Sequence, residues 1–139
     1  MNTDPNCVFC KIVAGQIPSL KLTEDATTLA FMDINPANEG HCLVIAKAHH
    51  PTLYDMPLDL LAAVSATVLK VAKAVNAALK PDGLNLVQAN GPGAAQSVPH
   101  FHVHVLPRRL GDKLPLNWEL KPGERAAIAA IADRIKAKL

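Results

Sequence analysis

The segment 100–106 alternates histidine with large apolar residues, and it constrains the fold more than any other feature of the chain. Successive side chains of an extended strand point to opposite faces, so the alternation predicts a strand with two unlike faces. One face carries His100, His102 and His104, and the other carries Phe101, Val103 and Val105. Three imidazoles in a row are costly to bury, because each ring has two nitrogens that need partners. The row therefore favours a site for a metal ion or an anion over a strand with a merely solvated polar face.

The composition favours a single folded domain over residues 1–139. With 50% hydrophobic residues, a chain of 139 residues can bury a core of its own. We place this core at about residues 7–109 and a tail with a helix at about residues 110–139. No linker, internal repeat or low-complexity tract divides the chain.

The charge pattern argues against an extended nucleic-acid surface. The formal net charge is +2, and no block of Lys or Arg supplies the basic footprint that nucleic acids require. No apolar run approaches the ~20 residues of a membrane span. Residues 1–5 are polar and do not begin a signal peptide. We therefore expect a cytoplasmic protein with neither nucleic acid nor membrane as a partner.

The three cysteines are too few, and odd in number, for a disulfide framework. Cys7 and Cys10 form a Cys-x-x-Cys pair, which is typical of a metal site or a redox pair and also occurs as two small buried hydrophobic residues. A redox pair of the thioredoxin kind would need a βαβ context that this sequence lacks. Two further ligands of the right type would favour zinc. Cys42 lies on an apolar segment and is expected to pack in the core.

The order of predicted elements indicates an α+β fold. After the cysteine pair, residues 12–18 indicate a short helical turn that ends at Gly15. A long helix fits 57–80, because apolar residues recur there at steps of three and four. A second helix fits 124–138, after an irregular tail at 111–122. Strand patterns occur at 20–24, 27–33, 41–47, 84–90 and 98–106. Because the strands are clustered, we expect an antiparallel sheet of about five strands with the long helix packed on one face.

Taken together, four motifs resemble the histidine triad (HIT) superfamily of nucleotide-binding enzymes, in particular its Hint-like branch of purine nucleotide phosphoramidases. The resemblance covers about residues 7–109 and is carried by segments 7–12 with 17–18, 31–36, 40–45 and 90–108. It implies hydrolysis at the α-phosphate of AMP or GMP derivatives, and a homodimer. A dinucleoside polyphosphate hydrolase is the alternative within the family. A non-catalytic nucleotide-binding or interaction protein is the alternative outside it.

The resemblance also implies the catalytic roles. His102, the middle histidine, would attack the α-phosphorus as a neutral imidazole and form a covalent nucleotidyl-histidine, which splits one substitution into two easier steps. His104 would contact the phosphate and help to protonate the leaving group. His41 matches a fourth histidine of the family and would orient His102.

Substrate-binding residues follow from the same comparison of motifs. Asp33 would accept hydrogen bonds from the ribose hydroxyls, although the same residue before a turn is often only an Asx-turn residue. Phe9 and Ile34 would sandwich the purine. Donors to the phosphate oxygens would come from Asn90, Gln96 and Ser97.

Some bacterial members of the superfamily hold a structural zinc ion, and this chain has a residue for each of its ligands. The resemblance implies that Cys7, Cys10, His49 and His100 bind Zn²⁺, with His50 adjacent to His49. Two thiolates and two imidazoles make a closed tetrahedral site. The chain departs from the family pattern at Ala95, where glycine usually precedes the Gln. Alanine is disfavoured there if the backbone requires a positive φ.

Overall fold

The computed structural model describes residues 1–115 and 117–139, which contain three α-helices and one sheet. The elements in chain order are α1 (Val8–Val13), β1 (Lys21–Glu24), β2 (Thr28–Met32), β3 (Cys42–Ala46), α2 (Leu58–Leu79), β4 (Gly83–Val87), β5 (His102–Arg108) and α3 (Arg125–Lys136). The five strands are antiparallel and lie in the order β1-β2-β3-β5-β4. The predicted α+β class, with its five-stranded antiparallel sheet and one long helix, is confirmed.

Helix α2 covers one face of the sheet and contacts β2, β3 and β5. Its apolar residues recur at steps of three and four, so they form a stripe that can only be buried against the sheet. The core on this face consists of Ala30, Cys42, Val44, Ala46, Val64, Val68, Val71, Phe101 and Val105. Burial raises the pKa of the Cys42 thiol to about 11, as expected for a residue that packs rather than reacts. No helix in the described residues is long and apolar enough to span a membrane.

Helix α1 packs on the opposite face of the sheet, where a second apolar cluster lies. This cluster consists of Cys7, Phe9, Cys10, Leu29, Phe31, Leu43 and Ile45. The ring of Phe9 meets Phe31 edge-on, with 5.5 Å between the ring centroids. The N-terminal segment is therefore held against the face of the sheet that α2 leaves free.

Two predicted boundaries are wrong. The first helix spans Val8–Val13 and includes the second cysteine, whereas the sequence indicated a turn starting at Ile12. β5 begins at His102 and not at residue 98, because Pro99 has no N–H for a strand ladder and the backbone bends there. His100 therefore precedes the strand instead of sharing its face.

The remaining elements match their predicted positions to within a few residues. The tail predicted as irregular has neither helix nor strand in its described residues, and Leu116 lies outside them. Trp118, in the same tail, is 80% exposed.

Candidate active site and metal cluster

The register of β3 and β5 brings two histidines to the face that α1 covers. His102 pairs with Ile45 and His104 with Leu43, and both apolar partners belong to the cluster beneath α1. Since side chains alternate along a strand, Val103 points to the opposite face and packs against the core under α2. The alternation of histidine and valine thus separates the candidate site from the main core.

The two histidines line a cavity of about 570 Å³ between α1, the end of β2 and the start of β5. Its wall is largely apolar, with a few polar side chains among the lining residues. The residues most relevant to the chemistry are Phe9, Asp33, Ile34, Ser97, His102 and His104. Ile34 is 81% exposed and lies at the mouth, whereas Phe9 is buried. A largely apolar cavity with a small number of polar groups in its wall is typical of a small-molecule site.

The ring of His102 is held by the backbone. Its Nδ1 lies 2.6 Å from the carbonyl oxygen of His100. A carbonyl can only accept, so Nδ1 carries the proton and the lone pair is on Nε2. Burial lowers the pKa of His102 below its ordinary value, while the carbonyl contact and Asp33 act in the opposite direction. The ring is therefore neutral near pH 7 and has an unprotonated nitrogen, as a nucleophile requires.

His41 contacts His104, contrary to the expectation that it orients His102. Nε2 of His41 lies 2.9 Å from Nδ1 of His104 and 3.5 Å from a carboxylate oxygen of Asp33. The backbone N–H of Ala37 donates to Nδ1 of His41 over 3.0 Å. Burial lowers the pKa of both histidines, that of His104 to about 4, with His102 and His41 lowering it further and Asp33 raising it.

Two of the predicted phosphate ligands are engaged elsewhere. The side-chain N–H groups of Gln96 donate to the carbonyl oxygens of Pro51 and Val98, and its side-chain oxygen accepts from the N–H of Gly91. The Asn90 oxygen accepts from the N–H of Leu53 over 2.7 Å, and its amide exchanges hydrogen bonds with Gln88. Both residues brace the loop instead of facing the cavity.

Ser97 is the predicted phosphate ligand that lines the cavity, together with Val98. The loop before it includes Ala95 in the left-handed conformation, with φ 58°. Residue 95 therefore does have a positive φ, the condition under which glycine would be favoured at this position. Alanine adopts this conformation here.

The four predicted metal ligands form one cluster. Nδ1 of His100 lies 3.4 Å from Sγ of Cys7, 3.7 Å from Sγ of Cys10 and 3.3 Å from Nδ1 of His49. Sγ of Cys10 lies 3.5 Å from Nδ1 of His49. Zinc ligands at their usual bond lengths on a tetrahedron stand roughly 3.3–3.8 Å apart. The distances match a closed tetrahedral site, and His50 is outside the cluster.

The hydrogen bonds around this cluster also fit a metal ion. Nε2 of His100 lies 2.7 Å from the carbonyl oxygen of Ala46, so it carries the proton and Nδ1 presents its lone pair to the cluster. The N–H of Asp4 points at Sγ of Cys10 over 3.4 Å, which stabilises a thiolate. The donor set and its surroundings therefore suit Zn²⁺.

A second group of possible ligands, at Asp33, His41 and His104, does not fit a metal ion. The N–H of Ala37 requires His41 to accept at Nδ1, so Nε2 carries the proton. A nitrogen that bears a proton has no lone pair for a metal. Both groups bring possible ligand atoms close together. The group of Cys7, Cys10, His49 and His100 fits a metal ion, whereas Asp33, His41 and His104 form a chain of hydrogen-bonding groups.

Sequence reasoning missed the backbone groups that assign these roles. The N–H of Ala37 and the carbonyl of Ala46 carry no signal in their side chains, since any residue offers the same backbone groups. Asp4 gave a weak signal, as a turn residue three positions before Cys7.

Comparison with known proteins relates the chain to one family. A model of the HIT domain matches residues 14–111. The adenosine 5′-monophosphoramidase hnt1 of Schizosaccharomyces pombe is 38% identical over 135 residues, which are 96% of this chain and 98% of that protein.

Two solved structures are also similar. SMU.412c from Streptococcus mutans UA159 superposes with a TM-score of 0.93 at 38% identity, over 99% of this chain and 87% of that one. A zinc-bound histidine triad family protein from Mycobacterium smegmatis superposes with a TM-score of 0.75 at 38% identity, over 93% and 97% of the two chains.

Proposed function

This chain belongs to the HIT family, and on that premise we propose that it hydrolyses purine nucleoside phosphoramidates at the α-phosphate through a covalent nucleotidyl-histidine. Its similarity to an adenosine 5′-monophosphoramidase over nearly the full length of both chains supports the reaction class. AMP and GMP derivatives are both candidate substrates, because a largely apolar slot leaves few polar groups to discriminate between bases.

The observation that carries the proposal is the geometry of His102. Its Nδ1–H is held by the carbonyl of His100, so Nε2 is the nitrogen available for attack. Phe9 packs edge-on against the ring, with 5.2 Å between the centroids, and limits its rotation. A neutral imidazole fixed at the wall of a nucleotide-sized cavity is suited to nucleophilic catalysis.

The reaction takes two displacements. Nε2 of His102 forms a bond to the α-phosphorus, the bond between phosphorus and the leaving nitrogen breaks, and the electron pair departs with the nitrogen, which takes up a proton from solvent in the cavity and leaves as an amine. Water then attacks the phosphorus and gives a proton back to solvent, the bond to His102 breaks, and the electron pair returns to Nε2 as the nucleoside monophosphate leaves. His104 faces the phosphoryl oxygens, where negative charge develops, and hydrogen-bond donors placed there lower the barrier.

Substrate binding is divided among three sides of the cavity. We assign the purine to the space between Phe9 and Ile34 and the ribose hydroxyls to the carboxylate of Asp33. Ser97 supplies a donor to the phosphate, with backbone N–H groups of the same loop. Asn90 and Gln96 support this loop, so their effect on phosphate binding is indirect.

We assign a structural Zn²⁺ ion to Cys7, Cys10, His49 and His100, on the distances in the cluster and the zinc-bound relative. When bound, the ion would act as a closed cross-link and would offer no open position to substrate. Within the chain itself, the contact between Cys7 and His100 connects the start of α1 to His100. The backbone carbonyl of His100 in turn accepts the hydrogen bond from His102.

We propose that the chain forms a homodimer. Two observations support this: the resemblance to the family, and the exposed apolar side chains on the edge strand β4 and on α3. Leu86 on β4 is 55% exposed, and Ile128 on α3 is 58% exposed. A second copy would cover such residues and complete a sheet edge. The cytoplasmic location stays a prediction.

Hydrolysis of adenosine 5′-phosphoramidate by the wild-type protein and by His102→Ala tests the proposed function. The wild type should release AMP, and the variant should be slower by a factor on the order of 10⁴, since it lacks the nucleophile. Both should bind AMP, because Asp33 and Phe9 are unchanged. His50→Ala is the matched control, since His50 lies outside both the cavity and the cluster.

Near-normal turnover by His102→Ala would contradict the assignment of the nucleophile. Turnover of dinucleoside polyphosphates but not of the phosphoramidate would favour the alternative hydrolase. Tight binding of AMP without turnover of either would favour a non-catalytic nucleotide-binding protein.

A further inference from the structure

Residues 33–41, which we call the nucleoside loop, connect β2 to β3 and contain neither helix nor strand. They carry Asp33 and Ile34, the proposed ribose and purine contacts. The neck of the loop is closed by a hydrogen bond of 3.1 Å from the N–H of Asp33 to the carbonyl oxygen of His41. Residues 34–37 are exposed, so little packing holds the middle of the loop in place.

Asn38 connects this exposed part of the nucleoside loop to the rest of the chain. Its side-chain amide donates to the carbonyl oxygen of Pro107 over 3.0 Å and to a carboxylate oxygen of Asp112 over 2.8 Å. Among the described residues, no other side chain in 34–40 forms a hydrogen bond with another segment. Gly40, with φ 84°, is the second point of close contact, because a Cβ there would lie 3.1 Å from Cγ of Pro107 and would overlap with Leu79.

Asp112 is held in place by several groups besides Asn38. Its carboxylate accepts two hydrogen bonds from the guanidinium of Arg108, at 2.7 and 2.8 Å. It accepts two more from the backbone N–H groups of Arg109 and Leu114. The hydrogen bonds from Arg108 hold the pKa of the Asp112 carboxyl well below its ordinary range. Asn38 therefore donates to a firmly held, charged acceptor just beyond the end of β5.

The orientation of Asp33 depends on the nucleoside loop as well as on its neck. The N–H of Asn35 donates to one oxygen of the Asp33 carboxylate over 2.8 Å, so this carboxylate turns if residue 35 moves. Ile34 has less support, since 81% of the residue is exposed. Both Ile34 and Asn35 lie between the neck and Asn38. Release of Asn38 would therefore loosen the ribose contact and the purine contact together.

We propose that Asn38 is a positioning residue for nucleoside binding, because its hydrogen bonds to Pro107 and Asp112 hold the nucleoside loop in place. The inference rests on the proposed function, which assigns the ribose to Asp33 and the purine to Ile34. Asn38 does not line the cavity. Loss of its side chain should therefore weaken substrate binding and leave the displacement at phosphorus unchanged.

Binding of AMP and of 2′-deoxy-AMP to the wild type and to Asn38→Ala is the first test. The affinity for AMP should fall about tenfold, because a hydrogen bond to a charged group no longer holds the loop. The affinity for 2′-deoxy-AMP should fall about threefold or less, since this ligand lacks one of the hydroxyl groups assigned to Asp33. Calorimetric titration measures both. Equal losses for the two nucleotides, or no loss for AMP, would overturn the proposal.

Glu39→Ala is the matched control for these measurements. Glu39 is the next residue of the same loop, and its side chain is exposed and does not line the cavity. Glu39→Ala should bind both nucleotides as the wild type does. A loss of AMP affinity equal to that of Asn38→Ala would overturn the specific role of Asn38.

Kinetics with adenosine 5′-phosphoramidate separate positioning from catalysis. In Asn38→Ala the KM should rise about tenfold and kcat should stay within about twofold, because His102 and its hydrogen bond to the carbonyl of His100 are unchanged. A fall in kcat with an unchanged KM would overturn the proposal, since it would place the effect of Asn38 on the reaction itself.

Asp112→Ala tests the partner of Asn38. Residues in contact have non-additive effects, so Asn38→Ala introduced into Asp112→Ala should weaken AMP binding by about threefold or less instead of tenfold. The residual effect belongs to the hydrogen bond with Pro107, which remains in Asp112→Ala. A tenfold effect of Asn38→Ala in both backgrounds would show that the contact with Asp112 does not hold the loop.

Amide hydrogen exchange of the ligand-free proteins needs neither substrate nor Asp112→Ala. The N–H groups of Asn35 and Ala37 form hydrogen bonds inside the loop, and they should exchange about tenfold faster in Asn38→Ala than in the wild type or Glu39→Ala. Unchanged exchange in Asn38→Ala would overturn the proposal. Failure of the wild type to bind AMP or to hydrolyse the phosphoramidate would instead refute the proposed function, and the exchange rates would still decide whether Asn38 holds the loop.

Discussion

Single backbone groups assign different roles to chemically identical side chains in this site. His100 donates to the carbonyl of Ala46 and keeps its other nitrogen for the metal cluster. His102 donates to the carbonyl of His100 and keeps its other nitrogen for the cavity. His41 instead accepts a hydrogen bond at Nδ1 from a backbone N–H, so its proton is on Nε2 and this nitrogen is a donor. One hydrogen bond to each ring thus decides which of its nitrogens carries the proton and which keeps a lone pair.

Ala95→Gly should stabilise the protein, because Ala95 has φ 58°. A side chain in the left-handed region costs about 1–2 kcal/mol, and the greater freedom of glycine in the unfolded chain offsets about 0.4–1 kcal/mol of the gain. We expect the free energy of unfolding to rise by about 0.7 kcal/mol, or the melting temperature by about 3 °C. Calorimetry of the wild type and of Ala95→Gly measures this difference in stability.

Ala94→Gly is the matched control, since Ala94 lies in the preceding turn and is not among the residues with positive φ. Glycine there relieves no strain and adds freedom to the unfolded chain, so it should destabilise the protein slightly. Equal shifts for the two variants would contradict the argument from φ.

Helix α1 is the element whose position depends most on contacts with distant parts of the chain. It has six residues, too few for a stable helix on its own. Phe9 packs against Phe31 on β2, and the thiols at residues 7 and 10 meet histidines from two other segments. A metal ion in this cluster would cross-link α1, the segment after β3 and the segment just before β5.

Loss of one ligand should therefore destabilise the whole chain. His49→Ala should reduce bound zinc from one ion per chain to a small fraction. It should lower the melting temperature by about 10 °C or more, because a ligand present at a thousand times its Kd stabilises by about 4 kcal/mol. Elemental analysis and calorimetry measure the two effects. His50→Ala should retain both zinc and stability, and equal losses in the two variants would contradict the assignment of the ligand.

The periodic elements could be predicted from the sequence, and the elements fixed by distant contacts could not. Steps of three and four specify α2, and alternation specifies the face on which His102 and His104 lie. The start of α1 depends on the cluster it joins, and the start of β5 on the bend at Pro99. The contact of His41 with His104 depends on the register between β3 and β5, which no local pattern encodes.

In the molecule as a whole, the sheet separates the main apolar core from the candidate active site. One face packs against α2 in a continuous apolar core, and the other carries α1, the cavity and the metal cluster. Because successive residues of β5 serve the two faces in turn, a change in strand register would disrupt both. The residue types of the site could be predicted from motifs. Asn90 and Gln96 could not be placed, because only the folded loop shows that their amides are already bonded.

The covalent intermediate on His102 tests the central claim most directly. Wild-type protein mixed with adenosine 5′-phosphoramidate and quenched within one turnover should gain the mass of an adenylyl group, and peptide mapping should place it on His102. His50→Ala should form the same adduct, and His102→Ala should form none. Turnover at the wild-type rate with no adduct at any time, or an adduct on another residue, would contradict the account.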